Sequence, residues 1–557
     1  MKKVKFESGS AESVFDILKK GLFSYINDRL YMIALIITAI GSYGFLVTHY
    51  SVSIDDLDYD RYYYGELIAQ GRLSATIFHR FFGITDNYIW IDDFLGILFM
   101  CIGVMLLCII FDQFVSTPNR IPQMIFSCIF VSYPLHSELF SYSGCSIAVG
   151  LGLVLVAVSL LFTIQHIKTK NVFYLIFSIA ALFFVTSWYE SLLFIYVGMV
   201  FSIFLLKQTG GEKYKLKQLI SEGIRYAIPV FIAVVSEFVV SNAIRLLMHL
   251  EKSTNAATDL GLGMYVKYGI MYHIENLIKP VLSAYVVSSA FYFPITILAI
   301  AAIIMCIIII ADSIKKRCLC LSLCEVFMLL LLIGLTPVLY CKQPYRTCQY
   351  YAFFVAFEAF FLLIRVSKSN MKKITYRICC VLLILLATLQ ISKINYYFTN
   401  DYLRYECEKS TMQAVGYELE KSYDLSKPVV FVGKYEFPKE IKNRIEIDRD
   451  SRILNCLKKT GIFDLYCTQP IKIDQSYSIQ DTNCQSYINW SEESFGGTGR
   501  SLIKFLQFLG YDGIKEPTKE QVDDAKASTV DMPSWPQEGS IADRGDYVVV
   551  KLSNNQN

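Results

Sequence analysis

The chain has 557 residues, of which 54% are hydrophobic and 18% charged, with a formal net charge of +3. A soluble protein of this length needs far more polar surface, so the composition excludes a soluble enzyme or binding module and points to a polytopic membrane protein. The net charge carries little information, and nothing in it calls for a nucleic-acid partner; the placement of the cations along the chain says more.

In residues 1–28, Val14, Phe15, Ile17, Leu18, Leu22, Phe23 and Ile26 recur at helical spacing among Lys and Asp. The pattern fits a cytoplasmic amphipathic helix on the inner membrane surface, or the same helix packed against the membrane domain. Residues 29–392 hold apolar stretches of the length that crosses a bilayer, about eleven in all. They are expected at Arg29–Tyr50, Asp93–Val115, Ile121–Phe140, Cys145–Ile164, Val172–Ser187, Ser191–Leu206, Arg225–Met248, Tyr285–Ala311, Leu319–Tyr340, Tyr350–Ile364 and Ile374–Ile391. Val172 to Leu206 is too long for one span, and Ser187-Trp188-Tyr189-Glu190-Ser191 fits a tight turn between two helices.

Lysine and arginine then set the orientation. Lys2, Lys3, Lys5, Lys19 and Lys20 precede the first span, and alternate loops carry Arg120, Lys168 with Lys170, Lys207 to Lys217, Lys315 to Arg317, and Arg365 to Arg377. These loops belong on one side, which puts the N-terminus in the cytoplasm and the C-terminal part outside. No cleavable signal peptide is expected, because the first apolar segment is full length and starts late.

Three segments expected outside are too large to be connectors. The loop 51–92 is acidic, with Asp55, Asp56, Asp58, Asp60, Glu66, Asp86 and Asp92 against Arg61, Arg72 and Arg80. The loop 249–284 is mixed in charge. The tail, 393–557, has the composition of a soluble domain: Thr411–Lys421 reads as helix, Pro428–Val432 as a buried strand, Ser501–Leu509 as helix and Tyr547–Leu552 as a strand, an α/β mixture. Of the sixteen cysteines, Cys341, Cys348, Cys407, Cys456, Cys467 and Cys484 fall on this outer side. Their even number permits disulfides, and their spacing fits no zinc motif.

Four polar groups gather at the expected outer face. Ile54-Asp55-Asp56-Leu57-Asp58-Tyr59-Asp60-Arg61 follows the first span directly, as a solvated loop or as a source of a general base. Pro134, His136 and Glu138 end the third span; a His and a Glu two apart do not share a helix face. Trp188-Tyr189-Glu190 stands between two apolar helices, where an aromatic anchor is ordinary and a Glu is not. Lys342-Gln343-Pro344-Tyr345-Arg346 puts two cations in a short outer loop, which suits a phosphate held at the membrane surface or lipid headgroups. The chain has no glycine-rich phosphate loop, no H-E-x-x-H zinc helix and no G-x-S-x-G elbow. Glu237 and Glu358 fall near the middle of their expected spans. Without a cation at that depth they make a poor relay for an ion-coupled transporter.

Taken together these parts resemble the Gtr-type glucosyltransferases that modify bacterial O-antigen, within the GT-C superfamily. The resemblance rests on Ile54-Asp55-Asp56 after the first span, Pro134 and Glu138 before Phe140, and Tyr189-Glu190-Ser191 where such proteins often have Tyr-Gln. It extends to Lys427-Pro428-Val429-Val430-Phe431-Val432-Gly433, Ile488-Asn489-Trp490, Met532-Pro533-Ser534-Trp535-Pro536-Gln537-Glu538-Gly539-Ser540-Ile541 and Tyr547 to Leu552. Glu190 in place of Gln departs from the pattern.

The resemblance implies a GT-C-like α-helical membrane domain in the bacterial cytoplasmic (inner) membrane. It also implies transfer of a hexose, glucose by family, from a polyprenyl-phosphate donor to a surface glycan such as O-antigen. Asp55 or Asp56 would be the base of an inverting displacement. Arg346, with Lys342 and Tyr345, would meet the departing phosphate. Glu138, Tyr189, Glu190, Asp58 and Arg61 would contact substrate hydroxyls. No cofactor is required, although two adjacent Asp residues are compatible with a divalent metal. A polysaccharide polymerase and a lipid-linked sugar flippase share the layout. A flippase needs cations through the depth of its cavity and a polymerase usually has arginine-rich outer loops, so the acidic first loop favours a transferase.

Overall fold

A computed structural model describes residues 13–49, 51–52, 67–69, 71–82, 89–115, 119–141, 145–212, 214–250, 293–314, 319–339, 348–368, 373–433 and 499–553. It is mostly helical. In chain order the helices are α1 (Val14–Ile26), α2 (Arg29–Thr48), α3 (Leu67–Ala69), α4 (Leu73–Phe82), α5 (Ile89–Asp112), α6 (Ile121–Val131), α7 (His136–Phe140), α8 (Cys145–Thr169) and α9 (Val172–Tyr189). A 3-10 turn, Glu190–Leu192, leads to α10 (Leu193–Thr209), α11 (Leu216–Leu247), α12 (Phe293–Ile314), α13 (Leu319–Leu339), α14 (Gln349–Lys368) and α15 (Lys373–Ser422). The chain closes with β1 (Val429–Val432), α16 (Arg500–Phe508), α17 (Lys519–Ser528), β2 (Ile541–Asp543) and β3 (Val548–Lys551).

Among the described residues, 7 helical stretches are long and apolar enough to cross a membrane. They are Arg29–Thr48, Trp90–Asp112, Ser146–Thr169, Val172–Thr209, Leu216–Leu247, Gln349–Ser367 and Lys373–Ser422. The chain is therefore a multi-pass membrane protein by the length and apolarity of its helices. Val172–Thr209 is interrupted at the expected turn: Tyr189 takes φ −150° and ψ 88°, ending α9 before the 3-10 turn. The segment expected to span at Ile121–Phe140 is not one helix. Proline lacks a backbone donor and disfavours a helical residue before it, so Pro134 stops α6 early. Protein groups take up the polar atoms at this break. Tyr43 Oη donates to the Val131 carbonyl at 2.8 Å, and Ser132 Oγ donates to Gln390 Oε1 at 2.8 Å.

At one end of the bundle α1 is packed in place. Val14, Ile17 and Tyr25 are buried, while Phe15 and Phe23 are 73% and 71% exposed. Tyr25 Oη donates to Asp112 Oδ2 at 2.8 Å, Gln123 Nε2 donates to the other oxygen at 2.7 Å, and the Arg120 guanidinium sits 4.0 Å over the Tyr25 ring. The packed reading of the N-terminal helix thus accounts for one face, and the open face carries Phe15, Phe23 and Ile26 among Asp16, Lys19 and Lys20. A buried charge group lies at the same end: Arg365 grips Asp312 with two bonds of 2.7 Å and reaches Glu325 at 3.4 Å.

The most extensive helix pairing is between α5 and α8. Glycine makes it possible. A Cβ at Gly150 would lie 2.1 Å from the Gly96 carbonyl oxygen, and one at Gly96 would lie 2.5 Å from the Ser146 carbonyl. A layer of packed rings joins the bundle centre, with Phe111 stacked on Phe360 at 4.8 Å and edge-on to Phe126 at 5.2 Å.

α15 contains 50 residues. At 1.5 Å per residue it is about 75 Å long, far beyond the ~30 Å hydrocarbon thickness. Its first half shows Ile378, Leu382 and Leu385 outward; its second half buries Tyr405, Met412, Val415 and Leu419 in a separate apolar cluster with β1, β3 and α16. The sheet order is β1-β3-β2, with β1 parallel and β2 antiparallel to β3. All of β1 is buried, as an uninterrupted Val429–Val432 run requires. Lys551 explains part of the closing motif. Its buried ammonium donates to the carbonyls of Thr529, Val530 and Met532 at 2.6, 2.9 and 2.7 Å, while its carbonyl accepts from Trp535 N at 2.8 Å. Asp543 sits at a strand end with its carboxyl held below the usual range, first by the hydrogen bond from Lys427 and then by the Gly545 N–H.

Two substitutions probe these packings. Gly150→Leu pushes α5 off α8 and is expected to cost about 1–3 kcal/mol or more, read as a lower melting temperature in detergent. Lys551→Met leaves three carbonyls without their donor and is expected to cost about 1–3 kcal/mol, read as easier proteolysis of the C-terminal sheet.

Candidate active site

Asp55, Asp56, Asp58 and Arg61 lie outside the described residues, as do Lys342, Tyr345 and Arg346. Glu138 stands on α7, its side chain also outside the described part. Tyr189 and Glu190 are described, and the flanks of both polar loops are fastened around them.

The first loop leaves α2 at Ser51 and Val52. Ser51 Oγ donates to Asp401 Oδ2 on α15, and Val52 is buried in the apolar cluster that contains Tyr405. The loop returns through α3 and α4. Leu67 and Ala75 pack with Ile147, Ala148 and Trp188, the Phe78 ring lies 4.7 Å from Trp188, and Ser74 Oγ pairs with Ser187 Oγ. The second loop ends at α14, where Gln349 Oε1 accepts from Ser191 Oγ at 3.3 Å. Trp188, Glu190 and Ser191 belong to one break, so this break collects α4 from one side and the start of α14 from the other.

Glu237 joins the same place. It lies on α11, whose helix begins at Leu216, before the expected span edge at Arg225. A Cβ at Gly71 would lie 3.5 Å from Glu237 Oε1, and the φ of +81° there suits glycine. Ser241 Oγ donates to the same oxygen at 2.6 Å, and Glu190 is near enough for the two charges to interact. Two half-buried carboxylates thus face the first loop. Carboxylates can accept hydrogen bonds from sugar hydroxyls.

Sequence reasoning passed over Asp92 and Asp93. Both are 2% exposed. Asp92 accepts from the backbone N–H groups of Ser146 and Ile147, each at 3.3 Å, and Asp93 Oδ1 accepts from Ser146 Oγ at 2.6 Å. The carboxylate of one helix therefore caps the next, satisfying donors that the first turn of α8 leaves open. A signal was present: Ile91-Asp92-Asp93 repeats the tripeptide Ile54-Asp55-Asp56. His136, on α7, is buried beside Phe130 at 5.1 Å between ring centres. Among the described residues no group of three or more His, Cys, Asp or Glu forms a metal site.

The family model described as glucosyl transferase GtrII matches residues 44–364, more than half of the chain. The chain belongs to the GtrII family. Comparison with curated proteins finds no match. Membership makes this GtrII chain a glycosyltransferase, with a sugar donor and a glycan acceptor implied. The GtrII match takes in both polar loops, the Tyr189–Glu190 break and Glu237; it stops before α15 and the C-terminal sheet.

Within the GtrII region, Asp92→Ala is expected to destabilise by about 1–2 kcal/mol through the lost cap, while Asp92→Asn keeps an acceptor oxygen and costs less. Thermal unfolding of the two variants in detergent checks the order.

Proposed function

We propose that this GtrII chain moves glucose from a polyprenyl-phosphate donor to a cell-surface glycan on the outer face of a bacterial cytoplasmic membrane. The observation that carries the reading is the convergence of both polar loops on the Trp188–Ser191 break, within the span that matches the family. On this reading the end of the bundle holding the break is the outer one. The end holding α1 and the Arg365 cluster is cytoplasmic, in line with the lysines and arginines. About eleven spans and an outer C-terminal domain complete the layout.

Asp55 or Asp56 takes the proton of the acceptor hydroxyl as that oxygen attacks the anomeric carbon. The bond to the phosphate oxygen breaks on the opposite face, which inverts the anomeric centre. Arg346, with Lys342 and Tyr345, meets the charge that grows on the leaving phosphate. Glu190 and Glu237 accept hydrogen bonds from sugar hydroxyls, with Tyr189, Glu138, Asp58 and Arg61 around them. A lipid monophosphate leaving group makes a metal unnecessary for this chemistry.

The test is transfer of labelled hexose from polyprenyl-phosphate donors in membranes carrying wild type, Asp55→Asn, Asp56→Asn or Arg346→Ala at matched expression. One of the Asp variants is expected to lose about 10²–10⁴-fold in turnover. Arg346→Ala is expected to lose about 10²–10³-fold. Wild-type rates in all three variants would move the active site elsewhere. No transfer by wild type from any donor would favour a polymerase or flippase.

A further inference from the structure

Arg404, on the part of α15 beyond the bundle, is 6% exposed. Its charge is met by two carboxylates of the same helix. Nε donates to Asp401 Oδ1 at 3.0 Å, and Nη1 donates to Glu408 Oε2 at 2.7 Å. The second oxygen of Asp401 accepts from Ser51 Oγ, a residue 350 positions away. Around this bond the Tyr402 ring lies 5.2 Å from His49 and 5.9 Å from Phe45, both on the last turn of α2 or next to it. Val52, 1% exposed, enters the apolar cluster of Tyr405, Met412 and the C-terminal sheet.

A buried ion pair is a poor source of net stability, because desolvation offsets most of its attraction. Its strength is direction. An arginine that fixes one oxygen of Asp401 leaves the other aimed at one donor position, and the Ser51 hydroxyl occupies it. Ser51 is where the chain passes from α2 into the first loop. α15 is the element that continues into the C-terminal sheet. Asp401, Arg404 and Glu408 all lie past residue 364, so the family match assigns them nothing.

We propose that Arg404 is a positioning residue for sugar transfer: by orienting Asp401 onto Ser51 it pins the start of the first loop to the helix that carries the C-terminal sheet. The inference rests on the reading that this loop supplies the base. The group touches no substrate; it sets where the loop begins.

The full-length protein in membranes tests it through Arg404→Gln, Arg404→Lys, Ser51→Ala and the double variant Ser51→Ala/Arg404→Gln. Arg404→Gln is expected to lower kcat about tenfold and to leave the donor KM within about twofold, the signature of a misplaced catalytic group rather than lost binding. Arg404→Lys is expected to recover part of the loss. The double variant is expected to be no slower than Arg404→Gln, because both changes cut one connection.

A second readout does not depend on activity. A thiol introduced as Val52→Cys is expected to react slowly with maleimide, and at least about fivefold faster when Arg404→Gln is added, with the label located by mass spectrometry. Unchanged kcat in Arg404→Gln, multiplying losses in the double variant, or labelling that ignores Arg404 each overturn the proposal. If wild type transfers nothing while labelling still follows Arg404, the transferase reading fails and takes the catalytic role with it, leaving a structural joint.

Discussion

Lipid offers no hydrogen bonds, so each place where a membrane helix stops or bends must find its partners within the protein. This constraint shapes the end of the molecule where the two polar loops are anchored. The first turn of α8 is capped by Asp92 from α5, the break after α6 is met by Tyr43 and Gln390, and the break after α9 is tied to α14 through Ser191 and Gln349. Each tie joins two helices that are distant in sequence. The places where backbone regularity is lost are therefore also the places where polar side chains are gathered, and a site for a sugar needs such side chains at the edge of the lipid.

The glycine contact between α5 and α8 gives this end its rigidity. With Gly96 and Gly150 in backbone contact, Asp92 is carried within reach of the N–H groups of Ser146 and Ile147. Ile147 and Ala148 in turn form the floor on which Leu67 and Ala75 of the first loop pack, beside Trp188. A chain of close packing thus runs from a helix crossing to the loop that follows the acidic segment. At its other side the same loop begins on α15, so the two halves of the molecule meet at Ser51 and Asp401.

Much of this was legible in the sequence. The long apolar runs gave the helices, and the polar interruption at Ser187–Ser191 marked a break because a lipid-embedded helix does not tolerate such a run without cause. The uninterrupted Val429–Val432 run read as a buried strand for the same reason that it is one. Other features were hidden by what local pattern can carry. Pro134 was visible, yet the apolar residues on either side of it made Ile121–Phe140 look like one span. Glu237 reads as one of two isolated mid-span acids, and its approach to Gly71 joins residues too far apart in sequence for a local pattern to show. Asp92 looked like one more loop acid and Asp93 like the edge of a span, and only their contact with Ser146 distinguishes them. The Ser51–Asp401 bond joins residues with no local signature. The acidic residues 55–61 and the cations 342–346 lie outside the described residues, and the roles proposed for them come from the family resemblance.

In the proposed reaction a lipid monophosphate leaves as glucose is transferred with inversion. The direct measurement uses the purified chain in liposomes with a glycan acceptor and polyprenyl-phosphate glucose labelled in both phosphate and sugar. One free polyprenyl phosphate is expected for each glucose gained by the glycan, with the new linkage opposite in anomeric configuration to the donor. Transfer with retained configuration, or glucose on the glycan without matching release of the lipid phosphate, would contradict it.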